Sequence, residues 1–258
     1  MSPSLTIAVK EIRDHLRDSR SLVSAAMYSL MGPAVILLVS QSPAAAAGGS
    51  NLLLSMMSVF TLVSAFTGGM HIALDSTAGE RERGSLVPLL LNPVSRNDLV
   101  VGKWIGVAFF ATAGLALNLA AFSAVFEWRG VNPSGEVKQA ILLWIVCGLL
   151  PLALFGAALD LLTGAASRTM KEALARLSLV MLAPMMVGMF LVFFPAWSGR
   201  WWFVIPVFGQ QALIGAGLRG ETMRLWQTGA LAALTAAATA VTLWAAARAL
   251  RRGEGTVA

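Results

Sequence analysis

Residues 79–84 read Gly79-Glu80-Arg81-Glu82-Arg83-Gly84, two acids and two bases in four positions, closed by a glycine on each side. Such a set can form ion pairs and cap helix ends; it has no nucleophile and no general base held by a third group. On a helix, Glu80 and Arg83 lie three apart and would pair with each other. Just beyond, Leu86, Leu89 and Leu90, and less regularly Val87 and Leu91, give a short helix one apolar face. Pro88 falls in the first turn of that helix if Ser85 is its cap, where a missing N–H costs little, and Asn92-Pro93 ends it. A short greasy helix beside a mixed-charge cluster is a shape for docking another protein. A helix resting passively on a membrane surface fits the same composition equally well.

Other chemistries lack their residues. There is no G-x-x-x-x-G-K-[ST] to cradle phosphates and no H-E-x-x-H. His15, His71 and the single Cys147 are too few for a metal cage, and no disulfide framework is possible. Four polar residues within or beside apolar runs are candidates for a substrate path. Asp160 is placed near one membrane boundary, where a base from a neighbouring helix would meet it; cation binding is the sharper alternative. His71 lies four residues before Asp75, the spacing of a hydrogen-bonded helical pair or, less simply, a proton relay. Gln210 and Gln211 would either line an outer gate or satisfy broken backbone.

The elements that must carry these residues are membrane spans. The chain has 258 residues, 57% hydrophobic and only 12% charged, half the charge of a soluble domain. Crossing about 30 Å of hydrocarbon at about 1.5 Å per residue takes about 20 apolar residues. Six runs qualify, over about 21–40, 52–74, 99–126, 139–162, 177–194 and 225–247, making residues 21–252 one membrane domain with a tail over 253–258. Residues 1–20 form an amphipathic helix with Leu5, Val9, Ile12 and Leu16 on one face, expected to lie along the membrane surface. Ser95-Arg96-Asn97-Asp98 fits a capping box opening the third span, and Gly102 with Gly106 permits close helix packing. Residues 201–218 carry no charge but contain Pro206, Gly209, Gly215 and Gly217; they read as a re-entrant hairpin at the outer face.

Charge sets the orientation. With six spans and both termini inside, fourteen of the 19 Lys and Arg residues lie in inner segments. A seventh span over 201–218 would put Arg248, Arg251 and Arg252 outside, against the bias of basic residues toward the cytoplasm. The net charge of +6 thereby reflects topology rather than nucleic-acid binding.

The stretch 79–103, G-E-R-E-R-G-S-L-V-P-L-L-L-N-P-V-S-R-N-D-L-V-V-G-K, resembles the signature loop of the ABC transporter permeases of the type-2 exporter family. Lys10-Glu11-Ile12-Arg13-Asp14 is similar to that family's N-terminal helix, and Ser167-Arg168 with Lys171-Glu172-Ala173 to its second cytoplasmic loop. Ile205-Pro206 with Gln210-Gln211 resembles the outer hairpin of sodium-exporter permeases of the NatB kind. The large outer domain usual there between the first two spans is replaced by Gln41–Asn51. Val87, Pro88 and Asn92 depart from the family's loop pattern.

The resemblance implies an all-α polytopic protein of the bacterial inner membrane, with six spans and cytoplasmic termini. It implies a homodimer paired with two separate ABC ATPase subunits, which would bind the ATP and magnesium; this chain would carry no cofactor and catalyse nothing. Gly79, Glu80, Arg81, Glu82, Arg83, Gly84, Leu86, Leu89, Leu90, Pro93 and Arg96 would form the ATPase-coupling loop, aided by Arg168, Lys171 and Glu172. The implied activity is ATP-driven efflux, with sodium, a drug or a lipid as cargo. The rival expectation is a membrane anchor that recruits an ATPase for signalling or envelope remodelling without transport.

Overall fold

A computed structural model describes residues 2–85, 94–128, 130, 137–194, 204–218 and 225–252. Among these residues there are helices and turns and no strand. Helix α1 (Pro3–Arg17) is followed by α2 (Ser19–Val39) with a single residue between them. That residue, Asp18, caps α2 by accepting from the Arg20 and Ser21 N–H groups, both at 3.2 Å. The Ser21 hydroxyl also donates to Asp18 (2.7 Å), and chiefly for this reason the Asp18 carboxyl sits below its ordinary pKa.

Helix α3 (Pro43–Thr67) stops at Gly68-Gly69 and restarts as α4 (Met70–Leu74), a π-helical turn (Asp75–Gly79) and α5 (Glu80–Glu82). Then come α6 (Arg96–Trp128), α7 (Val137–Ala166), α8 (Met170–Phe193), α9 (Phe208–Leu218) and α10 (Leu225–Arg252). Among the described residues, six stretches are long and apolar enough to cross a membrane: Ser19–Val39, Leu52–Glu82, Arg96–Trp128, Gly148–Ala166, Met170–Phe193 and Leu225–Leu250. The number agrees with the reading from hydropathy. Helix α9 is not among them: its 11 residues reach about 16 Å, roughly half the hydrocarbon thickness.

The bundle closes through small residues and polar repairs. Pro33 in α2 has no N–H to offer the Ser29 carbonyl four residues back; Asn118 of α6 supplies a donor instead, Nδ2 to O 2.8 Å. Ala157, Leu161 and Ala165 of α7 share a core with Ala246, Ala247 and Leu250 of α10, and with Ile72, Leu99 and Val100. Ile7 and Ile12 of α1 lie against the same cluster. The beginning of the chain, the end of α10 and the polar loop after α4 thus share one end of the bundle.

Helix α1 packs against the bundle through one face. Leu5 and Leu16 are 43% and 48% exposed, whereas Ala8, Glu11 and His15 are buried. The Gly102/Gly106 notch of α6 receives this face: a Cβ on Gly102 would come within 2.7 Å of Ile7 Cβ and of the Ser4 carbonyl, and one on Gly106 within 3.0 Å of Glu11 Cβ. An acid can be buried here because α6 meets it with a base, while Ile7 and Ile12 pack inward and Leu5 and Leu16 stay exposed.

Candidate functional site

The charges at 80–83 are distributed to four neighbours. Lys103 of α6, only 1% exposed, places Nζ 2.8 Å from Glu80 Oε1 and 2.8 Å from Glu11 Oε1. A buried base between two carboxylates ties α1, α5 and α6 together. His15 Nε2 stands 3.8 Å from the far oxygen of Glu11, and His15 Nδ1 is 3.1 Å from the Ser21 hydroxyl. The second Glu80 oxygen is buried without a partner, so the pairing is tight on one side only.

Arg81 and Glu82 serve two helix ends. Arg81 Nη1 donates to the Ser167 carbonyl at 2.6 Å, just past the C-terminus of α7, where the helix dipole is negative. Glu82 Oε2 accepts from the Met170 N–H at 2.9 Å, at the positive N-terminus of α8. Thr169 caps α8 by accepting from the Glu172 N–H (3.2 Å), while Glu172 accepts from the Arg168 N–H (2.7 Å). Arg176 closes the loop with Nη1 on the Ala166 carbonyl (2.9 Å) and Nη2 on Glu172 (2.6 Å). The two polar loops therefore form one hydrogen-bonded unit. The Arg168 and Lys171 side chains remain exposed at its surface.

Arg83 pairs with Asp75, Nη1 to Oδ1 2.7 Å, which raises the guanidinium above its usual pKa. The arginine crosses over Gly79, where a Cβ would lie 2.8 Å from Asp75 Oδ1 and 3.3 Å from Arg83 Nη1. Gly84 follows at φ +71° with open space around it, a left-handed residue that ends α5. The expected Glu80–Arg83 pair is thus replaced by Glu80–Lys103 and Arg83–Asp75. Glu80 is drawn to the buried Lys103, while Arg83 reaches back across Gly79 to Asp75. The His71–Asp75 pair is absent for a related reason. Asp75 is taken by Arg83, and His71 lies against Tyr28 of α2 with ring centroids 5.1 Å apart.

At the start of α6 the capping box forms with an additional partner. The Asp98 N–H donates to Ser95 Oγ (3.1 Å), and the carboxylate of Asp98 accepts from both the Ser95 and Ser4 hydroxyls, each at 2.6 Å. Arg96 opens the helix and is engaged in an interaction of its own. Leu86, Leu89, Leu90 and Pro93 lie outside the described residues.

The substrate-path candidates are dispersed. Gln210 and Gln211 are buried in α9. Gln210 Oε1 accepts from the Val207 N–H (2.6 Å) and its Nε2 donates to Thr235 (2.8 Å), while Gln211 Nε2 donates to Ser58 (2.9 Å). Val207 has φ 77°, so Gln210 satisfies a strained, broken stretch of backbone. Asp160 has 0% exposure, and neither carboxyl oxygen has a hydrogen-bond partner. The base expected beside it is engaged elsewhere: Lys103 faces Glu11 and Glu80, and Arg81 faces Ser167. No group of three or more metal-binding side chains occurs among the described residues.

Two features had little local signal. Lys103 is a lone base at the edge of an apolar run, and only that isolation hints at a buried partner. The π-helical turn has no sequence mark of its own.

Comparison with known proteins agrees with this architecture. Residues 5–199 match the model of a family described as ABC-2 family transporter protein. The chain is 35% identical over 176 residues to the ABC transporter permease protein NatB of Bacillus subtilis, covering 64% of this chain and 45% of that protein. It is 33% identical over 147 residues to the probable ABC transporter permease protein NosY of Pseudomonas aeruginosa, covering 54% of this chain and 49% of that one. The aligned regions take in about half the length of each of these curated relatives. With a family match across most of its length, an all-helical architecture and six helices of membrane-crossing length, the chain belongs to the ABC-2 family of transporter proteins and is a multi-pass membrane protein.

Proposed function

We propose that this chain is the permease subunit of an ATP-driven exporter, moved by a separate ATPase subunit that docks on the loop running from Gly79 to Arg96. The observation that carries the reading is the distribution of bonds from residues 80–83. One short segment bonds α6, the end of α7 and the start of α8, and through Lys103 it is linked to α1. A partner pulling on this loop would displace four helices together, which is what conversion of ATP-driven closure into movement of the spans requires. Arg83 and Gly84, with Arg168 and Lys171, present the exposed surface of the same unit. In this reading the loop end of the bundle, with both termini, faces the cytoplasm of a bacterial cell, and two copies of the chain work with two ATPases.

The test is reconstitution in liposomes with a candidate ABC ATPase subunit. The permease should stimulate ATP hydrolysis, and deletion of residues 86–91 should abolish stimulation while membrane insertion persists. Unchanged stimulation by the deletion variant contradicts the docking assignment. Binding of the ATPase without vectorial flux of any cargo favours an anchor or scaffold instead.

A further inference from the structure

Asp160 lies about two helical turns inside the Ala166 end of α7. It is fully buried, with both carboxyl oxygens unpartnered. The residues one turn to either side on the same face are glycines. A Cβ on Gly156 would come within 2.7 Å of the Ala65 carbonyl and 3.1 Å of Phe66 Cα; one on Gly164 would strike the Thr77 hydroxyl and reach 3.3 Å from the Ala73 carbonyl. Placed between these two near-backbone contacts, Asp160 lies at about the level of the Gly68-Gly69 interruption, where α3 ends and α4 begins. A buried acid level with a broken helix is a combination of parts that binds small cations in membranes.

Several charged groups on the elements packed around α7 have other partners, and Lys171 is exposed at the loop surface. His71 lies against Tyr28, Asp75 is paired with Arg83, and Lys103 with Glu11 and Glu80. Arg81 bonds the Ser167 carbonyl, Arg176 pairs with Glu172, and Arg248 lies over the Trp244 ring. An ionised, unpaired carboxylate in this position would be strongly disfavoured. A metal cation would need several oxygen ligands converging on the site. A proton needs only the carboxyl itself.

We propose that Asp160 is a proton-binding site in the membrane domain. The site lies beyond the ATPase-coupling loop and does not depend on that assignment.

The experiment is carbodiimide labelling of the purified full chain in lipid nanodiscs, without any partner subunit, read by peptide mass spectrometry. Dicyclohexylcarbodiimide takes the proton of a carboxylic acid on its nitrogen, and the carboxylate oxygen then bonds its central carbon, so a membrane-buried acid reacts only while protonated. Samples treated near neutral pH should carry the adduct on Asp160, samples treated at higher pH should carry progressively less, and samples returned to neutral pH before treatment should carry it again. Asp160→Asn should lose the label and Asp160→Glu should keep it. If Asp160→Asn fails to fold, the pH series on the natural chain decides alone. Three results overturn the proposal: the Asp160 peptide recovered without label at every pH, equal labelling by a water-soluble carbodiimide, or protection by sodium at constant pH, which would make it a metal-cation site.

Discussion

Lys103 Nζ lies 2.8 Å from Glu80 Oε1, a bond that joins the third span to the loop closing the second, with the lysine almost wholly buried. The same nitrogen holds Glu11, so three segments of the chain converge on one charge. Removing it should be costly, because two carboxylates would stay in the interior without a counter-ion. Lys103→Met should destabilise the fold by about 3–5 kcal/mol. The triple variant with Glu11→Gln and Glu80→Gln should recover much of that loss. Thermal unfolding in detergent checks both, and equal melting of the single and triple variants would show that the triad does not act as a unit.

The seat of α1 depends on the absence of one methyl group. Gly102→Ala would push a Cβ into Ile7 and the Ser4 carbonyl, both at 2.7 Å. Gly106→Ala meets a single atom at 3.0 Å, the Cβ of Glu11, with the next at 3.8 Å. Protease digestion at residues 1–17 should therefore accelerate strongly in Gly102→Ala and only slightly in Gly106→Ala.

The bonds from Arg81 and Glu82 predict local effects without global unfolding. Glu82→Gln weakens a charge-assisted bond to the Met170 N–H, and Arg81→Met releases the Ser167 carbonyl. Hydrogen exchange should rise across 167–172 in both variants while α10 stays protected. Exchange rising equally throughout the bundle would indicate a general loss of stability instead.

The two glutamines of α9 should not be equivalent. Gln210→Leu strands the Val207 N–H and removes the donor to Thr235, for a cost of about 1–3 kcal/mol. Gln211→Leu loses one bond, to Ser58, and also removes a buried carbonyl oxygen that has no partner. Its effect on chemical unfolding should be the smaller of the two.

Acid should loosen the joint between α1 and α2. The Asp18 carboxyl has its pKa lowered, first by the Ser21 hydroxyl and then by the Arg20 N–H. Its cap is therefore fully present above the ordinary aspartate pKa of about 3.9 and is lost as pH falls through the lower folded value. Amide protection at Arg20 and Ser21 should drop in that acid range and be unchanged between neutral pH and mild acid. Asp18→Asn, which still caps, should abolish most of the pH dependence.

Hydropathy and local chemistry determined the outline of this protein from its sequence. A span is recognisable because about 20 consecutive apolar residues suffice to cross a bilayer whatever surrounds them. The Ser95–Asp98 cap is legible for the same reason, since its partners are three residues apart. The loop at 79–84 was visible as a charge cluster. Its internal connections were not, because each bond there depends on which helices adjoin. Glu80 meets Lys103 instead of Arg83, and Glu82 finds the Met170 N–H 88 positions away. Those choices are made by the glycine notches of α6 and α7, which set helix separation over distances that sequence spacing does not encode. Asp160 shows the limit most plainly. Its position within an apolar run was evident, but only the packing of α7 against α3 and α4 left it buried with no hydrogen-bond partner.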